Sequence, residues 1–204
     1  MKKYIVGIDV GTSAAKVGVF NCHGEIVGCE KKEYPTESPK SNYAEQNPEL
    51  WWSAVKNCII KIIKKNKIPP NFVKAIGVTG QTRTQVFVNY KGEPLRPAII
   101  WQDRRSSNEA QWINRKFSKK DIINYLGYQP PIDFSFPSAR LLWVKNYERC
   151  IFEKTYKVLQ PKDYINYKLT GNLSSDISSS FGLLNIKTEK LNEVYFKGLG
   201  IPTS

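Results

Sequence analysis

Short apolar runs separated by turn residues fill the opening of the chain. The first run, residues 4–10, is apolar except for one aspartate, which is typical of a buried strand, and glycine marks the tight turns at residues 11–13 and 22–24. A polar stretch with two prolines, residues 34–46, is predicted to be a loop. The pattern therefore predicts a meander of three strands over residues 4–10, 15–21 and 25–33.

A helix is predicted next, because apolar residues recur at intervals of three and four. Asn47 is a typical N-cap, Pro48 suits the first helical position, and Glu49 is favourable in the first turn. Prolines at 69 and 70 are expected to stop the helix. Its predicted apolar face consists of Leu50, Trp51, Ala54, Val55, Cys58, Ile59, Ile62 and Ile63.

Helices and strands alternate in the rest of the chain. A capping box of Ser106 and Glu109 predicts the start of a second helix, and serines between apolar residues at 173–186 predict a strand or hairpin. Further strands are expected at 72–79, 85–89 and 97–101, and further helices at 119–126, 137–147 and 161–169. A meander followed by this alternation predicts an α/β domain with a mixed sheet flanked by helices.

The composition fits one globular domain of 204 residues, with 41% hydrophobic and 24% charged residues. No apolar run approaches the roughly 20 residues that span a bilayer, and the N-terminus leads directly into a strand-like run. We therefore expect a cytoplasmic protein without membrane partners.

The net charge of +13 raises nucleic-acid binding as one hypothesis. However, the lysines are spread along the chain, and the one cluster, at residues 61–67, is explained as the solvated end of the first helix. Nucleic acid is therefore a disfavoured partner. The four cysteines form no CxxC pair and His23 is the single histidine, which disfavours a zinc site or a histidine-based triad.

The most informative polar residue is Asp9, within an otherwise apolar strand. A buried unpaired carboxylate is costly, so Asp9 should face a cleft or a cation. The turn of Gly11, Thr12 and Ser13 adds N–H groups and hydroxyls, and Lys16 adds a cation. These groups suit phosphoryl transfer, although a hairpin with a capping aspartate explains them as well. Neither a GxGxxG nor a GxxxxGK[ST] motif is present.

Residues 7–13 with Lys16 resemble the first phosphate loop of the FGGY carbohydrate kinases, members of the actin and hexokinase superfamily. The resemblance implies an actin-like, ribonuclease H-like fold and identifies residues 1–204 with the N-terminal, substrate-side domain. Further blocks in the order of that family, similar to its xylulokinase-like members, lie at residues 44–52, 76–81, 97–105 and 159–171.

The resemblance implies ATP-dependent phosphorylation of a sugar or polyol hydroxyl, with Mg²⁺ as cofactor. Asp9 would hold Mg²⁺ through water. The nucleotide phosphates would meet Gly11, Thr12, Ser13 and Lys16, and the sugar would meet Gln81, Thr82, Arg83, Trp101 and Asp103. A solvated helix start with surface pairs is an alternative explanation for Arg104 and Arg105, and for Arg105 we expect it.

Two features depart from the family pattern. Thr82-Arg83 matches neither the Met-His of xylulokinases nor the Arg-Glu of glycerol kinases, so the sugar is not assigned. Arg140 stands where the family usually has lysine, and we expect it to be structural.

The resemblance also places the general base and the nucleotide-binding domain beyond Ser204. We therefore expect the isolated chain to be inactive. The alternative is a shortened kinase homologue that acts as a non-catalytic sugar-binding or regulatory module. An exposed cleft face would favour a homo-oligomer.

Overall fold

The computed structural model describes residues 3–203. The predicted meander is confirmed: β1 (Tyr4–Val10), β2 (Ala14–Asn21) and β3 (Ile26–Glu33) are antiparallel neighbours, and the hairpin tip at His23 is exposed. The short β4 (Glu45–Gln46) follows within the segment predicted as a loop. After the first helix, β5 (Val73–Gly80) pairs in parallel with β1, which gives a mixed sheet of order β3-β2-β1-β5.

The first helix, α1 (Pro48–Lys65), begins as predicted, with the side chain of Asn47 accepting a hydrogen bond from the Glu49 N–H. It ends at Lys65 with Asn66 as C-cap, before the two prolines, and residues 70–72 form a short 3₁₀ turn. Most of its predicted apolar face is buried against one side of the sheet, although Leu50 remains exposed.

Strands β6 (Val86–Val88) and β7 (Ala98–Ile99) follow, and β7 pairs with β4. Five helices surround a second core: α2 (Ser107–Lys116), α3 (Lys119–Leu126), α4 (Pro137–Tyr147), α5 (Arg149–Lys154) and, near the end of the described residues, α7 (Glu193–Gly198). Between α5 and α7 lie β8 (Lys157–Leu159), which pairs with β6, and α6 (Pro161–Thr170), which packs on the same sheet face as α1.

Two predicted local features are wrong. The helix at Ser107 has no capping box, because the Ser106 hydroxyl donates instead to the carbonyl of Phe134 at 2.7 Å. Residues 173–186 form turns and isolated bridges rather than a strand. The packing expected there is nevertheless present, since Phe181 and Leu183 contact the second core.

One face of the four-stranded sheet carries no helix among residues 3–203. Ile5 on β1 and Ala75 on β5, which share this face, are exposed, as are the lysines at positions 16 and 31. No helix of the described chain is both long and apolar enough to cross a membrane.

Candidate functional site

The turn between β1 and β2 is held through its carbonyl groups. The Gly11 carbonyl accepts a hydrogen bond from the Tyr34 hydroxyl at 2.5 Å, the Thr12 carbonyl accepts one from Gln46 Nε2 at 2.6 Å, and the Ser13 carbonyl accepts one from the Tyr34 N–H. Within the described chain, the N–H groups of Thr12 and Ser13 donate to no protein acceptor. The turn therefore offers two N–H donors without an acceptor in the described chain, and backbone N–H groups of this kind can bind anions.

Asp9 lies beside this turn, on the uncovered face of the sheet. Across the strands it is paired with Lys16 on β2 and Thr79 on β5, and Lys16 is paired in turn with Lys31 on β3. These four side chains line a cavity of about 740 Å³. Among residues 3–203, no side chain forms a hydrogen bond or ion pair with the Asp9 carboxylate, so the carboxylate is available to a cation.

Burial and the negative charge of Asp9 raise the pKa of Tyr34. The Tyr34 phenol therefore stays protonated across the physiological range and can continue to donate to the Gly11 carbonyl. This residue positions the turn, and the sequence pattern had left it in a polar loop without a role.

The residues near Asp9 fit a magnesium ion that keeps most of its water. Mg²⁺ is commonly held through one or two carboxylates together with substrate phosphates. Within residues 3–203 there is no group of three or more His, Cys, Asp or Glu side chains that could enclose a metal. Asp9 is therefore the candidate carboxylate, which would hold the ion through water, and the direct ligands would be water and phosphate oxygens.

The loop predicted to contact the sugar, residues 81–83, follows β5 directly and is called the substrate loop below. The Gln81 N–H donates to the Val10 carbonyl at 2.8 Å, which ties the start of this loop to the end of β1. Arg83 adopts a left-handed backbone conformation with φ of 52°. Such a conformation is uncommon for a residue with a side chain and is often found at functional sites.

Arg83 has specific partners in the loop before α4. Its Nη1 donates to Asp133 at 2.9 Å and to Ser135 at 2.8 Å, and the guanidinium stacks against Phe136 and Phe181. Burial opposes ionisation of Asp133, but hydrogen bonds from Ser135 and the charge of Arg83 outweigh it and hold the pKa of Asp133 below its usual value. The pair presents a cation and an anion together.

Thr82 and Arg83 line a cavity of about 510 Å³, together with Gln160, Ser178 and Phe181. This volume lies within the range of small-molecule sites. The side-chain oxygen of Gln160 accepts a hydrogen bond from the Thr84 N–H, so the wall of the cavity also fixes the end of the substrate loop.

Trp101 does not line that cavity. It lies next to the turn of residues 11–13 instead. Its indole Nε1 donates to the Thr12 hydroxyl at 2.9 Å, and 45% of the residue is exposed. Trp101 therefore connects the phosphate side of the site with the segment that follows β7.

Asp103 is fully buried, with both of its oxygens engaged. It accepts hydrogen bonds from the Ala44 N–H and from the guanidinium of Arg105, whose side chain is itself buried. Asp103 therefore faces the protein interior and not the cavity.

The expectation of a solvated Arg105 is wrong, whereas Arg104 is exposed. Arg105 also pairs with Glu45 at 2.5 Å and stacks on Tyr43. Burial opposes the charge, but the hydrogen bonds and charge of Asp103 outweigh it and raise the pKa of Arg105. The sequence pattern missed this cluster because its members are distant along the chain.

Arg140 is structural, as expected. It is fully buried, and its two terminal nitrogens donate to the backbone carbonyls of Arg83, Ile99, Ile100 and Asp103. The side chain thus fixes the backbone of the substrate loop against the segment that contains Trp101.

Gln46 is the second residue whose role the sequence did not reveal. Its side chain is bonded to the phosphate turn through Thr12 and to the substrate loop through Gln81. A buried glutamine just before a helix start was the only signal available, and it does not identify those partners.

Comparison with known proteins identifies the family. The profile of the FGGY family of carbohydrate kinases, N-terminal domain, matches residues 4–204. The chain is 34% identical to the xylulose kinase of Staphylococcus xylosus, with 98% of this chain and 41% of that protein aligned. It is 31% identical to the glycerol kinase of Thermococcus gammatolerans, with 99% of this chain and 42% of that protein aligned.

Solved structures show the same fold. The gluconate kinase of Lactobacillus acidophilus superposes with a TM-score of 0.88 at 29% identity, covering 99% of this chain and 40% of that one. A ligand-bound xylulose kinase from the same organism gives a TM-score of 0.87 at 29% identity, covering 98% and 40%. The chain thus spans about two fifths of the length of the relatives that it matches.

Proposed function

The chain belongs to the FGGY family of carbohydrate kinases, with their actin-like fold, and on that basis we propose that it forms the acceptor side of an ATP-dependent sugar or polyol kinase. The reaction would transfer the γ-phosphoryl group of ATP to a hydroxyl of a small sugar or polyol in the cytoplasm. The sugar itself is left open, because Thr82-Arg83 matches neither the Met-His of xylulokinases nor the Arg-Glu of glycerol kinases.

The observation that carries the proposal is the turn at residues 11–13. Its carbonyls are all bonded to the protein. Among residues 3–203, its Thr12 and Ser13 N–H groups have no protein acceptor, and the Asp9 carboxylate beside it has no side-chain partner. Phosphoryl transfer depends on positioning and on offsetting charge, and this corner supplies both N–H donors and a metal ligand. A hairpin whose aspartate served as a cap would instead show that carboxylate bonded to the turn.

The acceptor would be held by the Arg83–Asp133 pair. A guanidinium and a carboxylate side by side can donate to one sugar oxygen and accept from the next hydroxyl, which suits the alternating groups of a polyol. Trp101, next to Thr12, would mark the end of the sugar that faces the phosphates. Asp103 would act only indirectly, by holding Arg105 and the Ala44 backbone.

The phosphate side would use residues of β1 and β2. Thr12 and Ser13 would orient the transferred group through their N–H groups, and Lys16 would offset its charge. Magnesium, held by Asp9 through water, would neutralise phosphate oxygens during transfer.

No described residue is placed to act as the general base. Asp176 is an unsuitable candidate, because its hydrogen bonds to Lys162 and Ser178 lower its pKa and engage the carboxylate. We propose that the base and most of the nucleotide site belong to the portion of the family architecture that these 204 residues do not include. The isolated chain should then bind sugar and turn over negligibly.

The proposal is tested with the purified chain by calorimetry against D-xylulose, glycerol and gluconate, together with an assay of ATP consumption. Binding of one of these compounds with negligible ATP consumption is expected. Turnover with a KM typical of a complete kinase would show that no further portion is required. The absence of any sugar or polyol binding would refute the acceptor role.

A non-catalytic sugar-binding or regulatory module is the second candidate. It is favoured by two observations together. The substrate loop is held by hydrogen bonds from Arg83, and no described residue is positioned to act as a general base. Adding a separately expressed C-terminal portion of the Staphylococcus xylosus xylulose kinase distinguishes the two. Restored ATP consumption supports the kinase, whereas sugar binding that stays unproductive supports the module.

A further inference from the structure

We propose that Gln46 is a positioning residue that fixes the phosphate turn (residues 11–13) relative to the substrate loop (residues 81–83). The inference rests on the proposed kinase function for its significance, but its geometry is independent of any ligand. Gln46 contacts no sugar or nucleotide in this scheme; it acts through Thr12 and Gln81.

All the hydrogen-bonding capacity of the Gln46 amide is used. Its Nε2 donates to the Thr12 carbonyl at 2.6 Å and to the Thr36 hydroxyl at 2.8 Å. Its Oε1 accepts from Trp51 Nε1 at 3.0 Å and from Gln81 Nε2 at 2.9 Å. A primary amide has two donors and two principal acceptor sites, so each is matched by one partner.

The amide itself is held in place. Gln46 is 1% exposed, and Trp51, on α1, is fully buried. The Gln46 backbone lies in β4, where it pairs with Ala98 of β7. A buried polar group that loses one partner costs about 1–3 kcal/mol, so the four-bond arrangement resists displacement.

The hydrogen bonds of Gln46 end at the two loops of the proposed site. By holding the Thr12 carbonyl inward, Gln46 helps to leave the N–H groups of Thr12 and Ser13 open to an anion. By accepting from Gln81, it fixes the residue that begins the substrate loop. In-line transfer requires acceptor and phosphate to be held at a set separation, and one side chain contacts the supports of both.

Two substitutions separate the two connections. Gln46→Glu, when ionised, keeps an acceptor for Trp51 and Gln81 but loses both donors, so the carboxylate repels the Thr12 carbonyl. Gln46→Met keeps the length of the side chain and loses all four bonds. Asn114→Asp is the matched control, since Asn114 bonds through its amide to the Ala110 and Ile132 carbonyls within the second core, in contact with neither loop.

The tryptophan indole N–H signals in ¹⁵N NMR spectra report on each connection without a ligand. Trp51 bonds to Gln46 itself and Trp101 bonds to the Thr12 hydroxyl, while the chain has only five tryptophans to resolve. We expect Gln46→Glu to shift the Trp101 signal towards that of a free indole. The hydrogen exchange of this indole N–H should become about tenfold faster, because the turn at residues 11–13 opens locally. The Trp51 indole should remain hydrogen-bonded in Gln46→Glu. The Trp51 and Trp101 signals should both change in Gln46→Met, and neither signal should change in Asn114→Asp.

In a second experiment, inorganic phosphate, D-xylulose, glycerol or gluconate is added to the wild type and to each variant. Phosphate should perturb the Thr12 and Ser13 amide signals in the wild type and at least about tenfold more weakly in Gln46→Glu, a factor that corresponds to about 1.4 kcal/mol. Sugar affinity in the same variant should stay within about threefold of the wild type, because the acceptor for Gln81 is retained.

The outcomes are separable. Unchanged Trp101 and phosphate signals in Gln46→Glu would overturn the positioning role, whether or not a sugar binds. Expected Trp101 and phosphate changes without sugar binding to any of the proteins would support the role of Gln46 and refute the acceptor function. A general loss of folding in Gln46→Glu, seen as collapse of all five indole signals, would also count against a role confined to the two loops.

Discussion

Trp101 donates a hydrogen bond from its indole nitrogen to the hydroxyl of Thr12, 89 residues earlier in the chain. The segment that follows β7 is thereby joined to the turn that follows β1. A large aromatic residue with 45% exposure beside an open phosphate turn provides an apolar surface at the point where the acceptor should meet the phosphates.

Replacing Trp101 tests this contact. Trp101→Phe keeps an apolar ring and loses one hydrogen bond, so we expect sugar affinity to fall by no more than about threefold. Trp101→Ala also removes the ring, and we expect a loss of about tenfold, in line with the contribution of a single aromatic contact. Calorimetry measures both. Trp112→Ala is the matched control, because Trp112 is similarly exposed at 40% but lies on α2; equal effects at the two positions would contradict the assignment.

Arg83→Lys should weaken sugar binding at least about tenfold. Lysine keeps the charge but loses the planar fork that bonds Asp133 and Ser135 and lies against two aromatic rings. Calorimetry against the sugar that binds the wild type gives the comparison. The control is Arg149→Lys. Arg149 is exposed, and its ion-pair partner among the described residues is Glu153 in the same helix, so this variant should bind as the wild type does. Unaltered affinity in Arg83→Lys would remove this residue from the acceptor site.

Arg140→Lys should lower the free energy of unfolding by about 2–4 kcal/mol. A lysine ammonium cannot reach the set of carbonyls that the two terminal nitrogens bond, which leaves buried acceptors unpaired. Urea unfolding followed by circular dichroism measures the change. Arg115→Lys on the exposed side of α2 should change stability by less than about 0.5 kcal/mol. A loss below about 1 kcal/mol in Arg140→Lys would show that its many bonds are not needed.

Glu109→Gln should stabilise the protein at neutral pH. Burial raises the pKa of Glu109, and its Oε2 has no hydrogen-bond partner among the described residues. A carboxyl group whose pKa is raised in the folded state opposes folding once it ionises, so wild-type stability should increase as the pH falls towards the unfolded pKa of about 4.3. The advantage of Glu109→Gln should be about 1 kcal/mol at pH 7 and should vanish below about pH 4.

Unfolding curves at pH 7 and at pH 4 measure this difference. Glu193→Gln, in the first turn of α7, serves as the comparison, because Glu193 is an exposed glutamate near a helix start. An advantage of Glu109→Gln that is the same at both pH values would exclude ionisation as its cause.

Local pattern was enough to establish the first half of the fold. The three-strand meander depends on short strand-like runs and on turns closed within a few residues, and α1 starts where Asn47, Pro48 and Glu49 predict. The turn at residues 11–13 was also predictable, because Asp9 and these residues are adjacent in the sequence, and its phosphate-binding role stays a prediction. Ordered motifs along the chain similarly indicated the family.

Tertiary structure decided which distant groups meet. The Ser106 hydroxyl bonds to a carbonyl 28 residues away instead of capping its own helix. The buried Arg105 pairs with Glu45, 60 residues earlier. Gln46 reaches Thr12 and Gln81, which are 34 and 35 residues away in opposite directions. Sequence periodicity reports which face of an element is apolar, but the partner of a buried polar group depends on how the elements pack, so these contacts became visible only in three dimensions.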